Sequence, residues 1–452
     1  MMKKNDIIEL DITGMTHEGL GVGRKNGMAV FVEDAVLGEK VFARITRLHK
    51  NYAVAEVEEW LNKNQHRQEP FCPVYGRCGG CSLQHMSYRM QLEFKHGVVK
   101  DALEHIGGFQ GITVNPVIGM NNPMHYRNKA QYPAGIGSDG RPVTGFYAKK
   151  SHQIIDFESC AIQDEISVKI RNHIIEAVRE AGIPAYDETT GKGILRQVIT
   201  RTASTGVMII LVVTTEKIPG LKSLIQGISA RFPEVKSIVL NINNKKGSVI
   251  PGDKNITVYG QDTIADKLGN YVFHISPLSF FQVNPVQTEI LYEKVLEYAA
   301  LTGNETVFDL YCGIGTISIF LAGKTKRVIG VESVKEAVEM AERNKLVNNV
   351  SNIEFYNGKA EDITAKFYKK GIKADVVVVD PPRKGCDGKL LETMAGMRPT
   401  RIVYVSCNPS TLARDLKYLG ENGYRIEQVQ PVDMFPWTYH VETVVLIRKK
   451  ND

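Results

Sequence analysis

Three cysteines crowd into the fifteen residues FCPVYGRCGGCSLQH, at Cys72, Cys78 and Cys81, with the spacing Cys-x5-Cys-x2-Cys, and a fourth, Cys160, follows in FESCAIQ. Thiolates grouped in this way hold metal. Four of them suit a zinc ion and an iron–sulfur cluster alike, and His85 is available to replace the distal cysteine in a zinc site, so spacing leaves both open. A fifth, Cys407, ends the apolar strand RIVYV just before Asn408 and Pro409. The proline stops the strand, which leaves the thiol at its carboxyl edge. Such a thiol is either an inert core residue or a nucleophile. Cys312 and Cys386 lie on neighbouring loops and read equally well as packing.

The second chemical constellation lies around Cys407. In VFDLYCGIGTISI, Gly313 and Gly315 follow a strand and open a helix, so the backbone can approach a ligand at the strand's carboxyl end. Glu332 ends the next strand, where a carboxylate can accept both hydroxyl protons of a ribose. Its plainer reading is a neighbour of the following helix start. Asp380 ends DVVVVDPPRKG and would share the crevice. The third glycine of a pyrophosphate loop is missing, with Ser318 in its place. That disfavours NAD and favours S-adenosylmethionine, which has no phosphates to cradle. Amine-directed methyltransferases carry an aromatic ring after the Pro-Pro pair, and Arg383 stands there instead.

A thiolate beside a methyl donor has a specific use. Carbon 5 of uracil is a poor nucleophile, but thiolate addition at carbon 6 makes an enolate whose carbon 5 attacks the methyl sulfonium. A base must then remove the carbon 5 proton. Glu442 in HVETVVLI is the candidate, against the plainer reading of a charge before an edge strand. A Lys or Arg would stabilise the enolate, and the sequence does not single one out.

These residues need scaffolds. Residues 5–60 alternate apolar and polar positions between glycine turns, the pattern of a small β-barrel of a kind that often binds oligonucleotides. Residues 87–107 read as a helix with Met90, Phe94, Val98, Leu103 and Ile106 at helical spacing. Residues 115–275 read as α+β around an antiparallel sheet, with the apolar run 207–213 as a buried strand. From residue 285 on, strands and helices alternate as in a doubly wound parallel sheet. No internal repeat is visible.

The 452 residues call for two or three domains. With 43% hydrophobic and 23% charged residues the composition is that of a soluble globular protein, and the net charge of +6 favours an anionic partner only weakly. The distribution says more: residues 1–65 carry nine Lys and Arg against ten Asp and Glu, and residues 66–150 carry ten against five. The basic surplus surrounds the cysteine cluster. No stretch reads as a signal peptide or approaches the about 18 apolar residues of a membrane helix, so a cytoplasmic protein is expected. Free cysteines there serve ligation or catalysis, not disulfides.

The segments SFFQVNP, DLYCGIGTISI, DPPRKG, SCNPSTLARD and HVETVVLI resemble the RNA uracil-5-methyltransferases. The cysteine set resembles the branch acting on 23S ribosomal RNA, in its Gram-positive form, and the barrel resembles that family's TRAM domain. The resemblance covers nearly the whole chain. It implies that Gln282, Tyr311, Glu332 and Asp380, with Gly313 and Gly315, hold S-adenosylmethionine; that Cys407 is the nucleophile and Glu442 the proton acceptor; and that Cys72, Cys78, Cys81 and Cys160 hold a 4Fe-4S cluster of structural role. It also implies three domains: 1–62 as the barrel, 63–90 with 121–275 as the central domain, and 91–120 with 276–452 as the Rossmann-like methyltransferase. Transfer RNA and an amine target are the alternative substrates. The expected protein acts as a monomer on ribosomal RNA, without membrane or DNA. Phe281, Tyr132 and Phe146 are candidates to stack on an extruded base, although core packing is the commoner fate of such rings.

Overall fold

The computed structural model describes residues 2–247 and 251–450. Near the amino terminus, six strands form one sheet in the spatial order Ile7–Asp11, Lys40–Leu48, Tyr52–Asn62, Met28–Glu33, Gly21–Lys25, Gly14–Met15. Alternation does what the pattern implies: Ile8, Leu10, Val30, Val32, Val41, Ala43 and Ile45 point into one core, and charged residues point out. At Gly23 a Cβ would stand 2.8 Å from the Asp11 carbonyl, so only glycine lets these strands close on one another.

The central sheet is mixed. Its order is Lys254–Gly260, Val235–Ile242, Gly206–Val213, Leu195–Ala203, Lys129–Ile136, Pro142–Thr144. Strands Gly206–Val213 and Val235–Ile242 pair in parallel, where an antiparallel sheet was expected, because helix Leu221–Arg231 provides the crossover between them. The run 207–213 is buried on both faces. One face packs on helices Glu165–Glu180 and Leu221–Arg231. The other shares a core with the carboxyl-terminal sheet, through Ile199, Met208, Ile210 and Val212.

The carboxyl-terminal sheet has seven strands in the order Ile353–Asn357, Arg327–Glu332, Thr306–Leu310, Val376–Val379, Arg401–Ser406, Glu442–Lys449, Tyr424–Val432. The first five are parallel and the last two antiparallel. The four valines 376–379 are wholly buried, as expected where helices cover both faces. The order reverses between Thr306–Leu310 and Val376–Val379, the place where open α/β sheets leave a crevice at their carboxyl ends.

Helix Tyr88–Asp101 forms where a helix was expected and continues as a π-helical turn, Ala102–Ile106, with the Ser87 side chain capping its start. Its inward face differs from the apolar spacing. Gln91 and Lys95 are buried and Ile106 is exposed, because the helix packs against polar groups of the loop 433–439. Among the described residues no helix is long and apolar enough to cross a membrane.

Candidate active site

A cavity of about 1080 Å³ opens between the carboxyl-terminal crevice and the segment carrying the first three cysteines. It is lined by Gln282, Tyr311, Gly313, Glu332, Asp380, Cys407 and Glu442, and also by Cys72, Cys78, Cys81 and Cys160. Gly315 is the one proposed site residue outside the lining. It sits at positive φ before helix Thr316–Ala322, and a Cβ there would come within 2.7 Å of Phe355. Its glycine therefore serves close packing of that helix, while Gly313, also at positive φ with open space around it, faces the cavity.

The sheet positions one wall. Tyr311 continues the first parallel strand in a left-handed conformation, unusual for a side chain of this size, and its N–H donates to the Val331 carbonyl. Glu332, at the tip of the adjoining strand, accepts from the Gly313 and Val334 N–H groups at 3.1 and 2.8 Å. Its carboxylate thus ties the glycine loop to the following turn. Ser318, in the place of the missing glycine, donates to the buried Asp309 carboxylate.

Two loops complete this wall. Asn408 donates its side-chain N–H to the Arg383 carbonyl at 3.1 Å, and Thr411 donates to the same oxygen. Arg414 reaches the Lys384 carbonyl, and Asp415 accepts from the Cys386 N–H at 2.8 Å. The stretch SCNPSTLARD therefore holds the DPPRKG loop in place. Cys386 and Cys312 are buried packing residues.

Strand register brings Cys407 and Glu442 together. Ser406 pairs with Thr443, so Cys407 follows directly opposite Glu442. Burial pushes the half-buried Cys407 thiol up to about 11, and the carboxylates of Glu442 and Asp380 add to this while Arg383 opposes it. Burial also raises Glu442 well above the carboxylate range, helped by Asp380. Asp380 itself is pushed up to about 7 by burial. The crevice thus holds several acidic groups with little compensating charge, which suits a cationic ligand.

Across the cavity the charge reverses. Lys129 is lowered to about 7, first by burial and then by Arg201 and Arg127, and Arg127 lines the same wall. The four thiols share this side. Cys78 Sγ accepts from the Gly80 N–H at 3.4 Å, and the Ile162 and Gln163 backbone beside Cys160 partly offsets the rise that burial causes there. Burial raises Cys78, Cys81 (to about 12) and Cys160, and the other thiols raise each further. Among the described residues no group of three or more His, Cys, Asp or Glu side chains is placed to hold a metal ion. His85 is turned elsewhere, with Nδ1 at 2.6 Å from the Tyr75 hydroxyl.

Comparison with known proteins decides the family. The profile described as tRNA (Uracil-5-)-methyltransferase matches residues 87–450, and that of the TRAM domain matches residues 3–57. The chain belongs to the RNA uracil-5-methyltransferase family. Its relatives include an uncharacterized RNA methyltransferase of Caldanaerobacter subterraneus subsp. tengcongensis, 52% identical over 99% of both chains. Another, from Halalkalibacterium halodurans, is 48% identical over 100% of this chain and 98% of its own. Among solved structures, the Pyrococcus abyssi tRNA (uracil-54, C5)-methyltransferase in complex with S-adenosyl-L-homocysteine superposes with a TM-score of 0.78 at 29% identity. That match covers 97% of this chain and 100% of the other. The protein is an S-adenosylmethionine-dependent RNA methyltransferase with an amino-terminal TRAM domain.

The methyltransferase cavity also contains residues that sequence reasoning passed over. Phe280 is 70% exposed and lines it, whereas its neighbour Phe281 is buried in the core. Tyr132 is buried as well, and Phe146 lines the cavity but stacks on Phe157. Of two adjacent aromatics one faces in and one out, and the local pattern gives no phase, since Phe281 and its neighbour Gln282 are both buried. Lys129, Arg127 and His440 were missed as lining residues because the strand Lys129–Ile136 and the loop before Glu442 meet the crevice only in three dimensions.

Proposed function

We propose that this enzyme transfers a methyl group from S-adenosylmethionine to carbon 5 of one or more uridines in 23S ribosomal RNA through a covalent adduct at Cys407. The observation that carries the reading is the register that sets Cys407 opposite Glu442 within the donor crevice. Glu332, Asp380, Tyr311, Gly313 and Gln282 hold the donor, and the acidic crevice offsets its sulfonium charge. The target uridine leaves its stack, enters between the two walls and meets the exposed ring of Phe280.

The Cys407 thiolate then bonds to carbon 6. Donor binding brings a positive charge beside a thiol that burial and two carboxylates hold in its protonated form, and so favours the thiolate. Arg383, Lys129 and Arg127 are the cations available to the enolate oxygens. Carbon 5 takes the methyl group. Glu442 removes the carbon 5 proton, the double bond re-forms and the thiolate leaves. Burial makes Glu442 a stronger base than an exposed carboxylate, which suits removal of a carbon-bound proton.

We assign the four remaining thiols to a 4Fe-4S cluster on the strength of their resemblance to the cluster-bearing branch of the family. All four line one cavity, and the Gly80 N–H donates to Cys78 Sγ. Bound there, the cluster would pin the basic segment 66–150; methyl transfer itself needs no electron. The domain division 1–62, 63–90 with 121–275, and 91–120 with 276–452 follows the same reading, as does a monomer acting in the cytoplasm. Transfer RNA is the second substrate, favoured by the likeness to the Pyrococcus enzyme. Mapping of 5-methyluridine by mass spectrometry in cells lacking the protein separates the two. Loss from 23S ribosomal RNA supports the proposal, loss from transfer RNA supports the second reading, and no loss from either contradicts both.

A further inference from the structure

The segment that carries Cys81 is fastened to the loop that delivers Glu442, and Trp437 is the fastening. Residues 433–441 join the last two strands of the sheet. Within them Trp437 is buried at φ +68°, a conformation that a large side chain adopts only when its surroundings impose it. The surroundings are specific. The Ser82 and Leu83 N–H groups both donate to the Trp437 carbonyl at 3.0 Å, directly after Cys81 in the chain. The Trp437 N–H donates to the buried Gln91 side chain at 3.0 Å, and the indole N–H donates to the Pro123 carbonyl at 2.8 Å. Phe71, one residue before Cys72, meets the indole edge to face at 4.9 Å. Cys81 and Cys160 pack against the same cluster. Two residues further on, the Tyr439 N–H donates to the Ser82 hydroxyl at 3.2 Å.

The near end of the loop has further partners, one of which, Tyr88, also packs on the Trp437 ring at 5.7 Å. Lys95 and Tyr88 donate to the buried Asp433 carboxylate at 2.6 and 2.8 Å, and Lys95 also donates to the Phe435 carbonyl. The far end, 436–441, leans on the cysteine segment as well as on Gln91, Pro123 and Tyr126. That end leads straight into Glu442, whose backbone pairs with Val432, so the strand holds the Glu442 backbone and the loop sets how the chain enters it.

We propose that Trp437 is a positioning residue. It transmits the placement of the cysteine segment to Glu442 and so governs the last chemical step rather than the first. In that step the carbon 5–hydrogen bond breaks and the proton passes to the Glu442 carboxylate. The bonding pair forms the carbon 5–carbon 6 double bond, and the carbon 6–sulfur bond releases the Cys407 thiolate. Adduct formation and methyl transfer depend on Cys407, whose turn is held by Ser406, Asn408 and the Arg383 carbonyl, none of which touches Trp437. The proposal rests on the covalent uracil reading.

The test is single-turnover reaction of the full-length protein with radiolabelled donor and unmodified 23S ribosomal RNA. Two quantities are followed, methyl incorporation and the fraction of RNA still bound to protein on denaturing gels. For Trp437→Ala the expected result is methyl incorporation within about threefold of wild type, with release of the methylated RNA slowed about tenfold or more. Trp437→Phe, which keeps a ring against Phe71 but loses the indole donor, should fall between. Gln91→Leu supplies the same reading if Trp437→Ala does not fold. Equal slowing of incorporation and release, or no change in either, overturns the proposal while leaving the covalent mechanism standing. Failure of the wild-type protein to form an adduct with 5-fluorouridine RNA overturns the mechanism itself, and the proposal with it.

Discussion

The two walls of the cavity are built by different means. On one, strand tips of a parallel sheet place Tyr311, Glu332, Asp380 and Cys407, and backbone register does the aiming. On the other, the cysteine segment contains little regular structure and is held by isolated contacts: the Cys78 bridge to Ala148, the Gly79 N–H to the Tyr147 carbonyl, and the bonds to Trp437. Register is insensitive to most side-chain changes. Isolated contacts fail one at a time, and a bound cluster would add the missing constraint. On the proposed mechanism, reaction chemistry belongs to the sheet wall and tunable placement to the loop wall.

The largest effect should come from the sheet wall. Cys407→Ala should reduce methyl transfer by at least about 10³-fold while donor affinity stays within about threefold, as read by turnover and calorimetry. Retained activity would make the wall a mere donor site and would favour an amine target. Next, Glu442→Gln should slow turnover by on the order of 10²-fold or more, with the RNA–protein adduct accumulating on denaturing gels. Phe280→Ala, where the walls meet, should weaken RNA binding about tenfold without changing donor affinity, the loss of one base–aromatic contact.

A smaller effect concerns acidity. Asp380 is raised to about 7 by burial, and a sulfonium cation beside it favours its ionised form. Donor binding therefore releases a proton below about pH 7. Affinity should rise several-fold as pH increases from 6 towards 7 and level off above it. Asp380→Asn should flatten that profile; an unchanged slope would move the donor's charge partner elsewhere. The smallest effect marks the loop wall. Cys160→Ser should abolish iron binding in anaerobically purified protein yet leave donor affinity within about twofold. A collapse of donor binding would erase the distinction between the walls.

The same contrast explains what could be read from the chain alone. The doubly wound sheet, the crevice and the place of Cys407 follow from strand-ending motifs, because side chains at strand tips are placed by local periodicity and by proline and glycine stops, whereas Glu442 opens a strand and meets Cys407 only through antiparallel pairing. The inward face of helix Tyr88–Asp101 did not follow. Beside the apolar Met90 and Val99 it buries Gln91 and Lys95, whose partners Trp437 and Asp433 lie more than 300 positions away. Gly315 shows the converse, since a motif glycine can serve helix packing when its neighbour Gly313 serves the cavity. The mixed central sheet escaped for a similar reason: a single parallel pair depends on a crossover helix that sequence periodicity does not orient.

The central claim is a transient carbon–sulfur bond made by residue 407. Incubation with donor and RNA carrying 5-fluorouridine at the modified position should yield a stable complex. Fragmentation of its peptides should place the methylated, fluorinated pyrimidine on Cys407. A preparation that turns over unmodified RNA but gives no such complex, or one attached through another residue, would contradict the account.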